Sequence, residues 1–88
     1  MAVVHLPSLL VSLTGGNSQP VVTGSTVGEL IDQLDIVYPG IKKRLLDGDR
    51  LRPDLAVFVD GSVRRDGLNC EVSAESEVHF IPAIAGGW

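Results

Sequence analysis

One amphipathic helix pattern lies between strand patterns, and this order constrains the fold more than any other feature of the sequence. Thr26 and Glu29 have the spacing of a capping box, in which the Thr26 hydroxyl accepts from the Glu29 amide and the Glu29 carboxylate accepts from the Thr26 amide. Pro39 ends the helix near Tyr38, because the residue before a proline disfavours helical angles. The apolar residues that follow the cap have the spacing of one helix face, at Val27, Leu30, Ile31 and Leu34.

Two strand patterns precede this helix. The aliphatic stretch from Val3 to Val11 predicts a first strand that either bulges or ends at Pro7, which cannot donate a hydrogen bond to a sheet. The segment 14–17 (Thr-Gly-Gly-Asn) has the composition of a turn. A short second strand over 20–23 then completes a hairpin.

The second half of the chain predicts more strands. Ile41 and Leu45 indicate one further helical turn, and 47–53 has the composition of a loop. Leu55–Val59 is apolar throughout, which is typical of a central strand buried on both faces. Asp60 and Gly61 then favour a type I′ hairpin turn. The remaining predictions are a return strand over 62–65, a mostly irregular stretch over 66–77 with an edge piece near Val72, and a last strand over 78–81 that Pro82 ends.

The predicted fold class is α+β, and the architecture is a β-grasp, or ubiquitin-like, fold. Its mixed sheet of four to five strands packs on one main helix. The long crossover through the helix lets the first and last strands lie parallel in the middle of the sheet. We expect residues 1–82 to form this domain and residues 83–88 to form a C-terminal tail.

Composition excludes several classes of function. The chain has 88 residues and a formal net charge of −4, which argues against binding to nucleic acid. Its single cysteine rules out an internal disulfide, a CxxC pair and a cysteine-ligated iron–sulfur cluster. No apolar run approaches the length of a membrane span, and no signal-like stretch precedes the first strand, so the expected compartment is the cytoplasm.

The segment Ile81–Trp88 is the most informative for function. Gly86 and Gly87 lack a Cβ atom, so this part of the tail is thin enough to enter a narrow channel in a partner enzyme. A carboxylate at Gly87 would reach the α-phosphate of ATP there and be adenylated, after which a sulfur nucleophile would displace AMP to give a thiocarboxylate. An inert, disordered tail is the competing interpretation.

The chain resembles the ThiS/MoaD family of ubiquitin-like sulfur carriers over almost its whole length, and among them the members that serve cysteine biosynthesis. The resemblance implies that Gly87 carries the thiocarboxylate, with Gly86 and Ala85 in the slim tail before it. The matching segments are Leu6–Leu10, Thr14–Gly16, Tyr38–Ile41, Arg44–Leu45, Val57–Gly61 and, most specifically, Ile81–Gly87.

The resemblance also implies the partners. They are an ATP-using adenylating and sulfurtransferase enzyme related to the ubiquitin-activating enzyme, and a PLP-dependent enzyme like cysteine synthase that accepts the sulfur. The chain itself would be a protein substrate without cofactors of its own, not an enzyme. Trp88 departs from the family pattern because it covers the Gly87 carboxylate. We therefore expect a zinc metalloprotease of the JAMM type to cut between Gly87 and Trp88.

Alternatives remain open at this stage. Trp88 would instead mark a carrier that is not activated, or serve as an aromatic anchor in a partner pocket. The domain would otherwise be a non-covalent interaction module, or a ubiquitin-like modifier that forms isopeptide bonds. The pathway fed by the sulfur is open among cysteine or homocysteine, thiamin, molybdopterin and a siderophore.

Other residues receive structural interpretations. His5 and His79 have no acidic or cysteine partner that the sequence pattern reveals, so no metal site is predicted. Cys70 is expected to be a bystander, and the cations Lys42–Arg44 to face water. The acidic residues Glu71, Glu75 and Glu77 are placed in a loop that helps to dock a basic groove. If strand alternation turns Val57, Val59, Val78 and Phe80 towards the helix, then Phe58 and Ile81 point outward as a partner patch.

Overall fold

The structure, a computed structural model, describes residues 1–65 and 67–82. The tail residues Ala85, Gly86, Gly87 and Trp88 lie outside this part of the chain, and the predicted boundary between residues 82 and 83 stays a prediction. The strands are β1 (Ala2–His5), β2 (Val21–Val22), β3 (Leu46–Asp47), β4 (Arg50–Leu51), β5 (Leu55–Val59), β6 (Ser62–Arg64) and β7 (Glu77–Pro82). The α-helices are α1 (Ser8–Val11), α2 (Val27–Val37) and α3 (Ile41–Leu45), with 3-10 turns at Ser12–Thr14 and Gly67–Asn69.

Five strands form one mixed sheet in the order β2-β1-β7-β5-β6. The first and last strands pair in parallel, with His5 opposite His79, and β7 pairs with β5 on its other side in antiparallel orientation. β7 is therefore hydrogen-bonded along both edges. The predicted ubiquitin-like architecture, with parallel first and last strands in the middle of the sheet, is confirmed.

α2 crosses one face of the sheet and supplies the centre of the core. Its predicted apolar stripe is confirmed, because Val27, Leu30, Ile31 and Leu34 are all completely buried. They pack with residues of β1, β5 and β7 that point to the same side, among them Val4, Val57, Val78 and Phe80. The helix ends at Val37, with Tyr38 as its cap, where Pro39 was expected to stop it.

The predicted cap of α2 is half right. The Thr26 hydroxyl accepts a hydrogen bond from the Glu29 amide at 3.2 Å, as expected. The Glu29 carboxylate, however, accepts from the amide of Ser25 at 2.8 Å, one residue before the predicted Thr26. The Ser25 amide also precedes the helix and has no intrahelical partner, so the Glu29 carboxylate can accept its hydrogen bond in the same way.

Of the two alternatives predicted for 3–11, a strand that bulges or one that ends at Pro7, the structure has the second, since β1 ends at His5; the helical turn that follows was not predicted. Residues Ser8–Val11 form α1, with Pro7 at its N-cap in an extended conformation. The Leu10 amide donates to the Pro7 carbonyl oxygen at 2.9 Å. Pro7 cannot donate to a sheet, but its fixed φ suits the start of a helix, and this preference wins over the aliphatic strand pattern.

The stretch from 46 to 51 contains a hairpin in place of the predicted loop. β3 and β4 pair in antiparallel orientation, and Gly48 in the turn has a φ of +72°. Each strand has only two residues, which is too short for an alternating pattern to show in the sequence. The Asp60–Gly61 turn is confirmed, with φ values of +51° and +87°.

β5 is not buried on both faces as its apolar sequence suggested. Val57 and Val59 are buried against the core, whereas Leu55, Ala56 and Phe58 are only half-buried. Within the described part of the chain, α2 covers one face of the sheet and no helix covers the other. In the same part, no helix has the length and apolar character needed to cross a membrane.

We predict that Thr26→Ala lowers the free energy of unfolding by about 1 kcal/mol, because the Glu29 amide loses its cap. Ser25→Ala is the matched control, since it keeps the backbone amide that the Glu29 carboxylate binds, and should change stability by less than about 0.5 kcal/mol. Urea unfolding of both variants measures the difference. Equal losses would show that the Thr26 hydroxyl does not cap α2.

Candidate functional site

The outer face of the sheet, opposite α2, carries an apolar patch. Phe58 lies beside Val63 of β6 and His79 of β7, and Ala56 lies beside Ile81. Phe58 and Ile81 are half-buried and Val63 is 50% exposed. We call these four residues, Ala56, Phe58, Val63 and Ile81, the outer patch.

The outer patch has the orientation that strand alternation predicted. The residues next to Phe58 and Ile81 along their strands, Val57, Val59 and Phe80, are buried in the core. The side chains of Phe58 and Ile81 therefore face away from α2 and are not fully buried. Their role in binding a partner stays a prediction.

The carboxyl end of β7 lies at Pro82, the last residue that the structure describes. Pro82 lies opposite Leu55 at the end of the β5–β7 ladder, so β7 extends one residue beyond its predicted end at Ile81. Proline has no N–H to donate, and this last pairing does not require one. Four residues separate Pro82 from Gly87, and the five steps between their Cα atoms span at most about 18 Å in a fully extended chain.

A groove of about 380 Å³ lies beside this end of β7. Its floor is apolar, with Leu10 and Leu13 from the first helical turns and Leu55 and Pro82 from the sheet. Two cations, Arg44 and Arg52, also line it, and the Arg52 Nε donates to the Asp54 carboxylate at 3.1 Å. The end of β7 is thus bordered by an apolar groove that is also lined by Arg44 and by the Arg52–Asp54 ion pair.

The parallel pairing of β1 and β7 brings both histidines together. The rings of His5 and His79 lie edge to face, with their centres 3.9 Å apart. The carboxylate of Glu77 lies 2.9 Å from His5 Nε2. The sequence analysis missed this acidic partner: Glu77 begins β7 and is not in a loop, and the strand register places it beside His5.

His79 has an unusual environment for a surface histidine. Its Nε2 atom is buried and has no hydrogen-bond partner among the described residues. Burial, and secondly the neighbouring His5, lower the pKa of His79, while Glu77 opposes them. The neutral form of the His79 imidazole is therefore favoured.

The remaining predicted residues are structural in this part of the chain. Cys70 is buried, and its Sγ donates to the Glu71 carbonyl oxygen. Lys42, Lys43 and Arg44 face water as predicted. Lys42 Nζ lies 2.7 Å from the Asp32 carboxylate, and this hydrogen bond raises the pKa of Lys42. None of these groups forms a nucleophile with an adjacent base.

The sheet order and the crossing helix define a ubiquitin-like, β-grasp protein. The sequence profile of the ThiS family matches residues 4–87, and the chain belongs to this family. The match includes Gly86 and Gly87 and stops immediately before Trp88. The resemblance to the ThiS/MoaD carriers is confirmed.

Three relatives illustrate the similarity. The chain is 34% identical over 89 residues to the sulfur carrier protein CysO of Mycobacterium tuberculosis, and the alignment covers 96% of each protein. It superposes with a TM-score of 0.91 and 34% identity on a chain of the Amycolatopsis orientalis BexX/CysO complex, covering 99% of this chain and 100% of that one. It is also 29% identical over 65 residues to small archaeal modifier protein 3 of Haloferax volcanii, covering 72% of this chain and 71% of that protein.

The orientation of neighbouring residues in β7 makes a direct prediction. Phe80→Ala empties part of the core and should lower the free energy of unfolding by about 3–5 kcal/mol. Ile81→Ala removes a half-buried side chain from the outer face and should cost less than about 2 kcal/mol. Denaturant unfolding of the two variants compares them. A larger loss for Ile81→Ala would mean that the two faces have been assigned the wrong way round.

Proposed function

We propose that this protein is a sulfur carrier whose Gly87 is adenylated and converted to a thiocarboxylate. The observation that carries the proposal is the ThiS family match over residues 4–87, which ends at the second glycine of the tail. The relative CysO is itself named a sulfur carrier protein. The fold supports the proposal because β7, the strand that leads to the tail, is held on both edges.

The chemistry requires little of the carrier itself. A carboxylate oxygen of Gly87 attacks the α-phosphorus of ATP in the partner, forming an acyl-adenylate and releasing pyrophosphate. A sulfur nucleophile then attacks the carbonyl carbon, and AMP leaves with the electron pair of the broken C–O bond. The domain contributes the position of the tail, and the partner supplies the acid, base and phosphate-binding groups.

We propose that an adenylating and sulfurtransferase enzyme, related to the ubiquitin-activating enzyme, binds the outer patch. Half-buried apolar side chains next to the strand that leads to the tail are suited to this contact. In the solved BexX/CysO complex a CysO chain is found with a partner protein. A PLP-dependent enzyme like cysteine synthase is the proposed sulfur acceptor, and the cytoplasm is the proposed compartment.

Trp88 follows Gly87 directly, so the carbonyl group of Gly87 forms a peptide bond with Trp88 and is not a free carboxylate. We propose that a JAMM-type zinc metalloprotease removes Trp88 before activation. The family match, which stops before Trp88, favours this order of events.

A ubiquitin-like modifier is the second candidate function. The similarity to small archaeal modifier protein 3 favours it, and the tail chemistry up to the acyl-adenylate is the same. The two functions differ in the final nucleophile, which is sulfur for the carrier and a lysine amine for the modifier. An adduct on a target lysine would therefore identify the modifier.

The first test compares three forms of the chain with the adenylating enzyme of the same host and ATP. The form ending at Gly87 should release pyrophosphate and, with a sulfur donor, replace one oxygen by sulfur in its intact mass. The full chain with Trp88 and a form lacking Gly86 and Gly87 should do neither. Activation of the full chain would contradict the need for processing, and failure of the Gly87 form would contradict the carrier function.

A second prediction concerns the outer patch. Phe58→Asp places a charge among apolar contacts and should weaken binding to the adenylating enzyme at least about ten-fold. Gln33→Asp is the control, because it adds the same charge at an exposed position of α2, on the other side of the domain. Calorimetry measures both affinities, and circular dichroism checks that both variants fold. Unchanged binding by a folded Phe58→Asp variant would remove the outer patch from the interface.

A further inference from the structure

Three metal-ligating side chains meet on the outer face of the sheet. His5 comes from β1, and Glu77 and His79 come from β7, two residues apart and therefore on the same side of the strand. The parallel register puts His5 directly opposite His79. One ligand atom from each of the three side chains lies within 4.8 Å of the others.

The two strands that hold these residues are each paired on both sides. β7 pairs with strands on both sides, and β1 pairs with β2 and β7. The Glu77 amide also donates to the Asp60 carboxylate at 2.9 Å, which ties the start of β7 to the β5–β6 turn. Because the backbone is already fixed, the three side chains need only rotate to bind a ligand together. The protein therefore loses little conformational entropy when the ligand binds.

The distances are near those that a tetrahedral ion requires. His5 Nε2 and the Glu77 carboxylate are already 2.9 Å apart. Nitrogen and oxygen ligands at about 2.0–2.1 Å from zinc lie about 3.3 Å from one another. The widest separation in this cluster, within 4.8 Å, therefore has to shrink by about 1.5 Å at most, and the two rings, whose centres are 3.9 Å apart, would have to reorient to share one ion.

A second observation points to a missing partner. The His79 Nε2 atom is buried and has no hydrogen-bond partner within residues 1–65 and 67–82. Buried polar atoms in native proteins normally have a partner. Glu77 forms a hydrogen bond with Nε2 of His5, whereas Nε2 of His79 has no such partner among the described residues.

We propose that His5, Glu77 and His79 form a binding site for a divalent transition metal ion of the zinc class. Two imidazoles and one carboxylate suit zinc, and they disfavour calcium and magnesium, which prefer oxygen ligands. Three protein ligands leave a fourth tetrahedral position for water or for a group of a partner protein. Binding of the divalent ion would change the net charge of the ion and the Glu77 carboxylate from −1 to +1 beside Phe58, which pairs with His79 at the edge of the outer patch.

The site does not depend on the sulfur-carrier proposal, since it uses neither the tail nor ATP. The other interpretation of the same geometry is a His5–Glu77 ion pair that stabilises the strands, with 26% and 61% of the two side chains exposed. Exposed pairs of this kind contribute little to stability. A saturable and ligand-dependent affinity for zinc distinguishes the two interpretations.

The test uses the full chain, made without a polyhistidine tag and freed of metal by chelation. Isothermal titration with Zn²⁺ should show one site per chain. His5→Gln, Glu77→Gln and His79→Gln should each weaken binding at least about ten-fold. Glu75→Gln is the matched control, because it removes the same charge from an exposed residue outside the cluster, and Cys70→Ser controls for the thiol. Both controls should bind as the wild-type chain does.

Imidazole nitrogen NMR on the wild-type chain supplies a readout that needs no variant to fold. The sequence contains two histidines, so both imidazole signals report on this site. One equivalent of Zn²⁺ should shift both. The proposal is overturned if Zn²⁺ does not saturate a site, if only one histidine shifts, or if folded His79→Gln keeps the wild-type affinity.

Discussion

The parallel pairing of β1 with β7 is the interaction on which the rest of the structure depends. Parallel neighbours cannot be joined by a short turn, so the chain between them has to cross over the sheet. α2 makes that crossing, and its stripe of buried residues closes the core against one face. The same pairing puts β7 in the middle of the sheet, with hydrogen bonds on both edges up to Pro82.

This arrangement separates the scaffold from the chemistry. The described residues form a core, an outer patch and a groove at the end of β7, but they bring together no nucleophile with a base. In the proposed function, the reacting group is the carboxylate of Gly87, which an extended chain places at most about 18 Å from Pro82. A strand held on both edges, with two glycines a few residues beyond its end, suits this role, because the glycines let the last residues fit a confined site.

Much of the fold could be predicted from patterns that act locally. The 3.6-residue stripe of α2 and the Asp60–Gly61 turn each have a physical signature within a few residues. The failures have local causes too. The fixed φ of Pro7 starts α1 where an aliphatic run suggested strand, and two-residue strands at 46–47 and 50–51 are too short to show a period. The apolar side chains of β5 indicated burial on both faces, although one face carries the outer patch.

The side-chain clusters were harder to predict than the elements. Strand alternation was enough to predict that Phe58 points outward, because that prediction needs no knowledge of the neighbouring strands. The contact between His5 and Glu77 depends instead on the register between β1 and β7, because the two residues are 72 positions apart in the sequence. A shift of that register by one residue would separate their side chains. The tail residues Gly86 and Gly87 were singled out from the sequence alone, and because they lie outside the described residues their role stays a prediction.

Intact-protein mass spectrometry of the chain purified from its native host, grown under sulfur demand, tests most directly whether Gly87 carries sulfur. The account predicts a chain that ends at Gly87 and has one oxygen replaced by sulfur. A chain that keeps Trp88 throughout, with no sulfur added, would contradict it.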